Sequence, residues 1–148
     1  MLPVNINLEG KDVLVVGGGV VATRRVRTLQ EQGALVHVVA PDISEELHQL
    51  HAEQKIIWHH RFFEPKDAAD KWLVVAHTDS SRVQQQIKDA CETHRVWCLV
   101  GGQPENSSFW FMAHRVLEDI TVAVSAKANP KKVKRLVGEI AGFLSHTS

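Results

Sequence analysis

Three consecutive glycines separate an aliphatic run from a stretch with helical periodicity, and their spacing matches that of a phosphate-binding turn. Gly17, Gly19 and Ala22 form a Gly-x-Gly-x-x-Ala pattern. In such a turn the first glycine permits a tight bend, the second lets a diphosphate approach the backbone, and the alanine allows close helix packing. The helix that follows would direct its positive end at the phosphate. The pattern predicts a dinucleotide site, and the alternative is a glycine-rich turn that binds no ligand.

The sequence gives only a weak signal for the residue that would contact the adenosine ribose. An acidic residue is expected about 20 residues after the glycines, but the second apolar run ends at Pro41 and is followed only then by Asp42. Asp42 could accept a hydrogen bond from a ribose hydroxyl or could simply begin the next turn. No arginine stands beside it to bind a 2′-phosphate, which favours NAD over NADP as the cofactor.

Strand and helix signals alternate on both sides of this turn. Apolar, β-branched runs predict strands at residues 13–16, 35–39, 56–58, 72–76 and 96–100. Helical patterns predict helices at residues 20–32, 44–51 and 80–92, and Ser44 is suited to capping the second of these. The alternation predicts an α/β fold with a Rossmann-like, mainly parallel, doubly wound sheet that is covered on both faces.

The pattern changes at the turn-rich segment 101–104. Two strands at residues 109–115 and 120–126 predict a hairpin, and Asn129 followed by Pro130 begins a last helix with one apolar face. We therefore predict a dinucleotide-binding domain at residues 1–104 and a hairpin-helix segment at residues 105–148. So small a segment has few partners for its apolar face, so we expect it to pack against a second copy in a homodimer.

Composition limits the classes of partner. The 148 residues include 17 Lys and Arg against 17 Asp and Glu, which gives no net charge and argues against nucleic-acid binding. Apolar stretches fall short of the ~18–20 residues that cross a bilayer, and the amino terminus lacks the basic start of a secretory signal. We expect a cytoplasmic protein without a membrane partner, in which Cys91 and Cys98 are reduced thiols.

The nine histidines do not form a recognisable metal motif. His48 and His51 have helical spacing, and His59 and His60 are adjacent, but no spacing supplies a third ligand. We therefore expect no metal site and interpret these histidines as surface residues. The four tryptophans fall in predicted strands, where we expect core or interface positions.

Two segments resemble a known family. The segments VLVVGGGVVATRRVRTLQEQGALVHVVAPD and AVSAKANPKKVKRL resemble the precorrin-2 dehydrogenases of sirohaem biosynthesis, in a short form. The resemblance implies an NAD-dependent dehydrogenase in which NAD accepts a hydride from precorrin-2, a proton is lost, and sirohydrochlorin results. The cofactor contacts that it implies, together with the glycine turn, are Gly17, Gly18, Gly19, Val20, Val21, Ala22, Pro41, Asp42 and Thr78.

The resemblance also implies a substrate site for a carboxylate-rich tetrapyrrole. Cations and a helix amino terminus suit such an anion, and the last predicted helix begins in a basic cluster. The alternative is a solvated basic face with no ligand. The predicted substrate contacts are Lys127, Asn129, Lys131, Lys132 and Arg135.

One departure from the family bears on catalysis. Where the family has an aspartate pair after the fifth strand, this chain has Gly101 and Gly102, so the expected proton-transferring carboxylate is absent. Ser125 matches a family serine, and His114 or Glu105 could substitute for the missing acid. The predicted catalytic residues are Ser125 and His114. Two alternatives stay open: a catalytically impaired relative that binds dinucleotide or tetrapyrrole, and a sirohydrochlorin ferrochelatase in which an imidazole takes pyrrole protons.

Overall fold

The computed structural model describes residues 1–127 and 129–146 and divides the chain into two compact units. The first unit is Met1–Phe109 and the second is Trp110–Ser148. The boundary suggested by the sequence, between residues 104 and 105, lies inside a short 3-10 helix, Pro104–Asn106. The first unit contains β1 (Asp12–Val16), α1 (Val20–Glu31), β2 (Leu35–Ala40), α2 (Glu45–Ala52), β3 (Ile57–His60), β4 (Leu73–Ala76), α3 (Ser81–His94) and β5 (Trp97–Val100).

The five strands of the first unit form one parallel sheet in the order β3-β2-β1-β4-β5. The chain moves outward from β1 to β3 and then returns to the other side of β1 to form β4. Because parallel crossovers are right-handed, the helices that follow β1 and β4 lie on opposite faces of the sheet. The predicted α/β class and doubly wound sheet are confirmed. The reversal between β1 and β4 creates a crevice at their carboxyl ends, which is where open α/β sheets bind ligands.

The core of this unit lies on both faces of β1 and β4. Both strands consist mainly of valine and leucine, and every residue of β4 is buried. α1 covers the sheet with Ala22, Val26 and Leu29, which recur at helical spacing, and α3 does so with Ile87 and Ala90. Burial of β-branched residues on both faces holds the two strand ends in fixed register beside the crevice.

The second unit contains β6 (Ala113–Leu117), β7 (Ile120–Val124) and α4 (Pro130–Ser145). The strands pair as an antiparallel hairpin, and Glu118 in the two-residue turn adopts a left-handed φ of 53°. The first strand starts four residues later than predicted, and the second ends at Val124 rather than at residue 126. Because Ala113 already pairs with Val124, the residues before Ala113 have no strand to pair with.

Two of the tryptophans in the first unit lie outside its core. Trp72 precedes β4 and is 61% exposed, and Trp97 begins the edge strand β5 and is 52% exposed, so neither is a core residue, and an interface position stays a prediction for both. The Lys11 ammonium lies 5.2 Å from the centre of the Trp72 ring. Trp58 in β3 is partly buried and donates its indole hydrogen to the Ala40 carbonyl at 2.9 Å. Among residues 1–127 and 129–146, no helix is long and apolar enough to span a membrane.

Candidate dinucleotide-binding site

A cavity of about 760 Å³ opens at the carboxyl ends of β1, β2 and β4. This volume is within the range of ~300–1,000 Å³ that is typical of small-molecule sites, and the place is the reversal point of the sheet. The structure brings all the predicted cofactor contacts together in the wall of this cavity. These are Gly17, Gly18, Gly19, Val20, Val21, Ala22, Pro41, Asp42 and Thr78.

The three glycines of the turn have different surroundings. Gly17 has a φ of 124°, and a Cβ on it would collide with the His77 carbonyl group. A Cβ on Gly18 would collide with the Asp42 carbonyl oxygen and lie 2.9 Å from the Ile43 Cα. A Cβ on Gly19 would meet nothing within 4 Å. Packing therefore explains the first two glycines, whereas the third leaves space at the cavity wall that a ligand can use.

The first turn of α1 presents backbone donors to this space. Gly19 is the N-cap residue and supplies no side-chain cap, and the first turn contains no acidic residue. The first N–H groups of a helix have no partner within the helix, and together with the helix dipole they favour an anion. Val20 is 79% exposed and Val21 is 45% exposed at the same rim. These features fit a diphosphate flanked by apolar side chains.

A hydroxyl pair that the sequence analysis missed fixes the turn against the loop after β2. Thr23 is buried, and its hydroxyl donates to the Gly19 carbonyl at 2.7 Å. The hydroxyl groups of Thr23 and Ser44 are also 2.7 Å apart, and the Ser44 N–H donates to the Gly18 carbonyl at 2.9 Å. A threonine in the first turn of a helix can bond to the carbonyl four residues earlier, but its contact with Ser44 depends on the fold.

His77 is a second residue that the sequence analysis missed. It follows β4 and lines the cavity, and its N–H donates to the Val16 carbonyl of β1 at 2.8 Å. Its ring is partly buried, and Nε2 finds no hydrogen-bond partner among the described residues. Burial, and then the positive charge of Arg25, lower the pKa of His77 below its ordinary value. The imidazole is therefore neutral at pH 7.

Gly101 and His77 occupy complementary space. The Gly101 N–H donates to the Ala76 carbonyl at 2.8 Å, which holds the end of β5 beside the end of β4. A Cβ on Gly101 would overlap Nδ1 of His77 and lie 3.0 Å from the Ala76 carbonyl oxygen. The imidazole thus fills the space in which a side chain at position 101 would begin. The family that the sequence resembles has an aspartate at this position. An aspartate here would require His77 to move.

An amide network fixes the two loops that follow β4 and β5. The Gln84 amide donates to the Thr78 carbonyl at 2.9 Å, and the Gln103 amide donates to the Gln84 side-chain oxygen at 2.6 Å. Asn106 in turn donates to the Gln103 side chain at 2.7 Å. Because Thr78 follows His77 directly, this network limits the movement of the loop that carries the imidazole.

The predicted catalytic residues Ser125 and His114 lie in the second unit and are both exposed. The Ser125 hydroxyl accepts a long hydrogen bond of 3.5 Å from the Trp110 indole. His114 pairs with Ala123 across the hairpin, and its Nδ1 lies 3.4 Å from the Met112 carbonyl oxygen. Their catalytic roles stay predictions.

The predicted substrate contacts gather around the start of α4. Asn129 accepts a hydrogen bond from the Lys132 N–H at 3.0 Å, which confirms the predicted helix cap. Arg135 lies 3.6 Å from the Glu139 carboxylate. All of these side chains are exposed, and their contact with substrate stays a prediction: Lys127, Asn129, Lys131, Lys132 and Arg135.

Several histidines surround Trp58 in the first unit. His48 and His51 meet the indole edge-on, at ring-centre distances of 5.2 and 5.7 Å, and His60 stacks on it at 4.4 Å. In the part of the chain that the structure describes, no group of three or more histidine, cysteine or acidic side chains is arranged to hold a metal ion.

Comparison with known proteins identifies a matching family model and several relatives of this chain. A family model described as putative NAD(P)-binding matches residues 4–113. The precorrin-2 dehydrogenase of Bacillus subtilis is 32% identical over 142 residues, which are 95% of this chain and 86% of that protein. Sirohaem synthase 3 of Aeromonas hydrophila is 36% identical over 138 residues, which are 93% of this chain but 30% of the synthase. The chain therefore spans less than a third of that synthase.

A solved structure is similar over almost the whole chain. The structure of SirC, a precorrin-2 dehydrogenase, has a TM-score of 0.83 and 25% sequence identity, and the match covers 97% of this chain and 71% of that one. The similarity includes both the sheet with its glycine turn and the hairpin-helix unit, because no more than 3% of the chain falls outside the match.

Proposed function

The chain belongs to the precorrin-2 dehydrogenase family, and from this membership we propose that it oxidises precorrin-2 to sirohydrochlorin, in sirohaem biosynthesis, with NAD as the hydride acceptor. The observation that carries the proposal is the cavity at the sheet reversal, where the glycine turn leaves open space at Gly19 and uncapped helix donors. A dehydrogenase of this class needs a diphosphate-binding turn beside a space for the reacting rings.

The chain's own residues would hold the dinucleotide at this turn. The N–H groups at the start of α1 bind the diphosphate, and the open side of Gly19 lets it approach the backbone. The Asp42 carboxylate, exposed in the cavity wall, accepts from a ribose hydroxyl. When bound, NAD supplies a two-electron acceptor for the oxidation.

The charges of the cavity wall favour NAD over NADP. The lining includes the acids Asp42 and Asp79 and, among the described residues, no lysine or arginine. A 2′-phosphate would therefore approach carboxylates without a cation to balance its charge, whereas a free ribose hydroxyl can donate to Asp42.

We place the tetrapyrrole carboxylates at the basic start of α4. Lys127, Lys131, Lys132 and Arg135 are exposed there, beside the first turn of the helix. Cations and free backbone donors at one helix end stabilise an anion. Ser125 and His114 are proposed catalytic residues that contact the same substrate.

We further propose that the second unit forms a homodimer and that the reaction takes place in the cytoplasm. Val116 is 62% exposed and Phe143 is 68% exposed in this unit, and Ile120 is also exposed. Apolar side chains of this size on a two-stranded hairpin and one helix favour burial against a second copy. Cys91 and Cys98 are free thiols, as expected in a reducing compartment.

An anaerobic assay of the purified protein with precorrin-2 and NAD tests the proposed reaction. We expect NADH and sirohydrochlorin to form in equal amounts and faster than in a protein-free control. A Gly19→Asp variant, which adds a negative side chain to the open space, should lose both NAD binding and activity. A wild-type rate no higher than the spontaneous rate would refute the dehydrogenase assignment.

A further inference from the structure

We propose that His77 is a catalytic residue that accepts the proton released when precorrin-2 is oxidised, through Nδ1 of its imidazole. The inference rests on the proposed function, because it assigns a proton acceptor to that reaction. His77 also supplies an acid-base group near the end of β5, where Gly101 and Gly102 provide none. The His77 side chain, which follows the neighbouring strand β4, lies beside Gly101 at the end of β5.

The position of the ring carries the inference. His77 directly follows β4 and lines the cavity beside the glycine turn, at the carboxyl end of the strand where such sheets place their reacting groups. Nδ1 points into the space that a side chain on Gly101 would occupy, and Gly101 itself lines the cavity. The glycine therefore makes room for the imidazole at the cavity wall.

The other candidates in the wall are less suited to this role. Among the described lining residues, the remaining acids or bases are Asp42 and Asp79. Both carboxylates are exposed, and Asp42 follows β2, on the side where the ribose is expected. The partly buried His77 is the titratable group in the wall that combines shelter from water with a position beside the sheet reversal.

Its surroundings keep the ring ready to accept a proton. The charged group that acts on His77 from the packed elements is the Arg25 guanidinium of α1. β1, the glycine turn and β5 present Val16, Gly17 and Gly101, which carry no charge. Burial and the nearby cation both oppose the imidazolium form, so the free ring is neutral and a captured proton is readily passed to water.

The proposed step removes one hydride and one proton from precorrin-2. Oxidation of the macrocycle by two electrons breaks two bonds to hydrogen. One hydrogen leaves with its electron pair as a hydride and reduces NAD to NADH. The second leaves as a proton to Nδ1 of His77, and its bonding pair stays in the macrocycle and extends the conjugated system. The imidazolium then releases the proton to solvent, so the products are sirohydrochlorin, NADH and one proton.

The main test compares His77→Gln with His94→Gln, a substitution of an exposed histidine at the end of α3. We expect His77→Gln to lower kcat by about 100-fold or more, which is the usual range for loss of a general base, with little change in NAD affinity. His94→Gln should behave as wild type. An unchanged kcat in a folded His77→Gln protein would overturn the inference.

The pH profile separates a proton acceptor from a purely structural residue. The base works in its neutral form, so the wild-type rate should fall as the pH drops through the pKa of His77, which lies below 6.5. This acidic limb should be absent in His77→Gln and present in His94→Gln. A limb that persists in His77→Gln would assign the proton to another group, such as His114.

A binding measurement keeps the inference testable if His77→Gln fails to fold. In wild-type protein labelled at the histidine ring nitrogens, the His77 signals should titrate below pH 6.5 and should shift when sirohydrochlorin is added. Unshifted signals with saturating sirohydrochlorin would overturn the inference. A wild-type protein that forms no NADH would instead refute the proposed function, and the role of His77 with it.

Discussion

At the scale of single residues, the glycine turn combines two different requirements within three positions. Gly17 and Gly18 have backbone groups of other segments where a side chain would begin, whereas Gly19 faces open space. The first two glycines therefore serve the fold, and the third serves the proposed ligand. The fingerprint predicted different roles for Gly17 and Gly19, but it assigned none to Gly18, whose close contact with the backbone of Asp42 depends on the fold.

We predict opposite phenotypes for two alanine substitutions in this turn. Gly17→Ala should destabilise the fold by roughly 2 kcal/mol or more, because it combines an unfavourable positive φ with a clash. Gly19→Ala should cost no more than about 1 kcal/mol, the usual loss when alanine replaces a preferred N-cap residue, and should weaken NAD binding, because its methyl group enters the approach path. Urea unfolding and calorimetric NAD titration measure the two effects. Equal stability losses in both variants would contradict this division of roles.

His77 and Gly101 form the second pair that is defined at the residue scale. We predict that Gly101→Ala destabilises the wild-type protein by roughly 1–3 kcal/mol, because the methyl group would displace the imidazole. In a His77→Ala background the cost should be smaller, although the Ala76 carbonyl still crowds the site at 3.0 Å. A double-mutant cycle from urea unfolding measures this coupling. Strictly additive costs would show that the two side-chain spaces are independent.

At the scale of elements, the hydroxyls of Thr23 and Ser44 join the start of α1 to the loop that begins α2. We predict that Thr23→Val, which keeps the shape but removes both hydrogen bonds, costs about 1–2 kcal/mol and weakens NAD binding several-fold. Thr28→Val is the matched control, because Thr28 bonds to the carbonyl of Arg24 on the same helix but is only partly buried and lies one turn farther from the glycines. Equal NAD affinity in Thr23→Val and Thr28→Val would contradict a role for this pair in shaping the turn.

The 3-10 helix Pro65–Ala68 depends on a buried carboxylate. Asp67 is 8% exposed and accepts hydrogen bonds from the Arg61 guanidinium at 2.8 and 2.6 Å and from the Glu64 N–H at 2.8 Å. Burial raises the pKa of Asp67, but these bonds and the charge of Arg61 outweigh burial and hold it below the ordinary value of 3.8. The ionised carboxylate therefore stabilises the fold fully above that value and loses its contribution as the pH falls through the lowered pKa.

The lowered pKa of Asp67 leads to a prediction for the stability of the protein in acid. Asp67→Asn should reduce stability at pH 7 by about 1–3 kcal/mol, as expected for the loss of a charged hydrogen-bond acceptor, and should reduce the loss of stability below pH 4. Asp89→Asn, which removes an exposed acid of α3, is the control for one fewer carboxylate. Denaturant unfolding at several pH values measures both variants. A profile for Asp67→Asn that runs parallel to that of the wild type would contradict the account.

Features that depend on neighbouring residues could be predicted from the sequence, whereas contacts between remote segments could not. The strands, the caps of Ser44 and Asn129, and the glycine turn depend on neighbouring residues and could be predicted. The late start of β6 depends on where β7 ends, and the His77–Gly101 contact joins two strands that are remote in the chain. The exposed Trp97 lies on an edge strand, a position that local pattern does not encode.

At the scale of the whole molecule, the proposed homodimer depends on apolar side chains of the second unit. We predict that sedimentation of the wild type gives twice the mass of the 16.5 kDa chain. Phe143→Lys, which places a charge on the most exposed apolar side chain of α4, should shift the protein towards monomer. Phe62→Lys, in the first unit, is the control and should leave the mass unchanged. A monomeric wild type would contradict the proposed dimer.

The position of bound NAD tests the central claim most directly. A crystal structure of the protein with NAD should show the diphosphate against the N–H groups of Val20 and Val21, beside the open face of Gly19, with the nicotinamide extending towards His77. NAD bound at any other surface, or a glycine turn that stays empty at saturating NAD, would contradict the account.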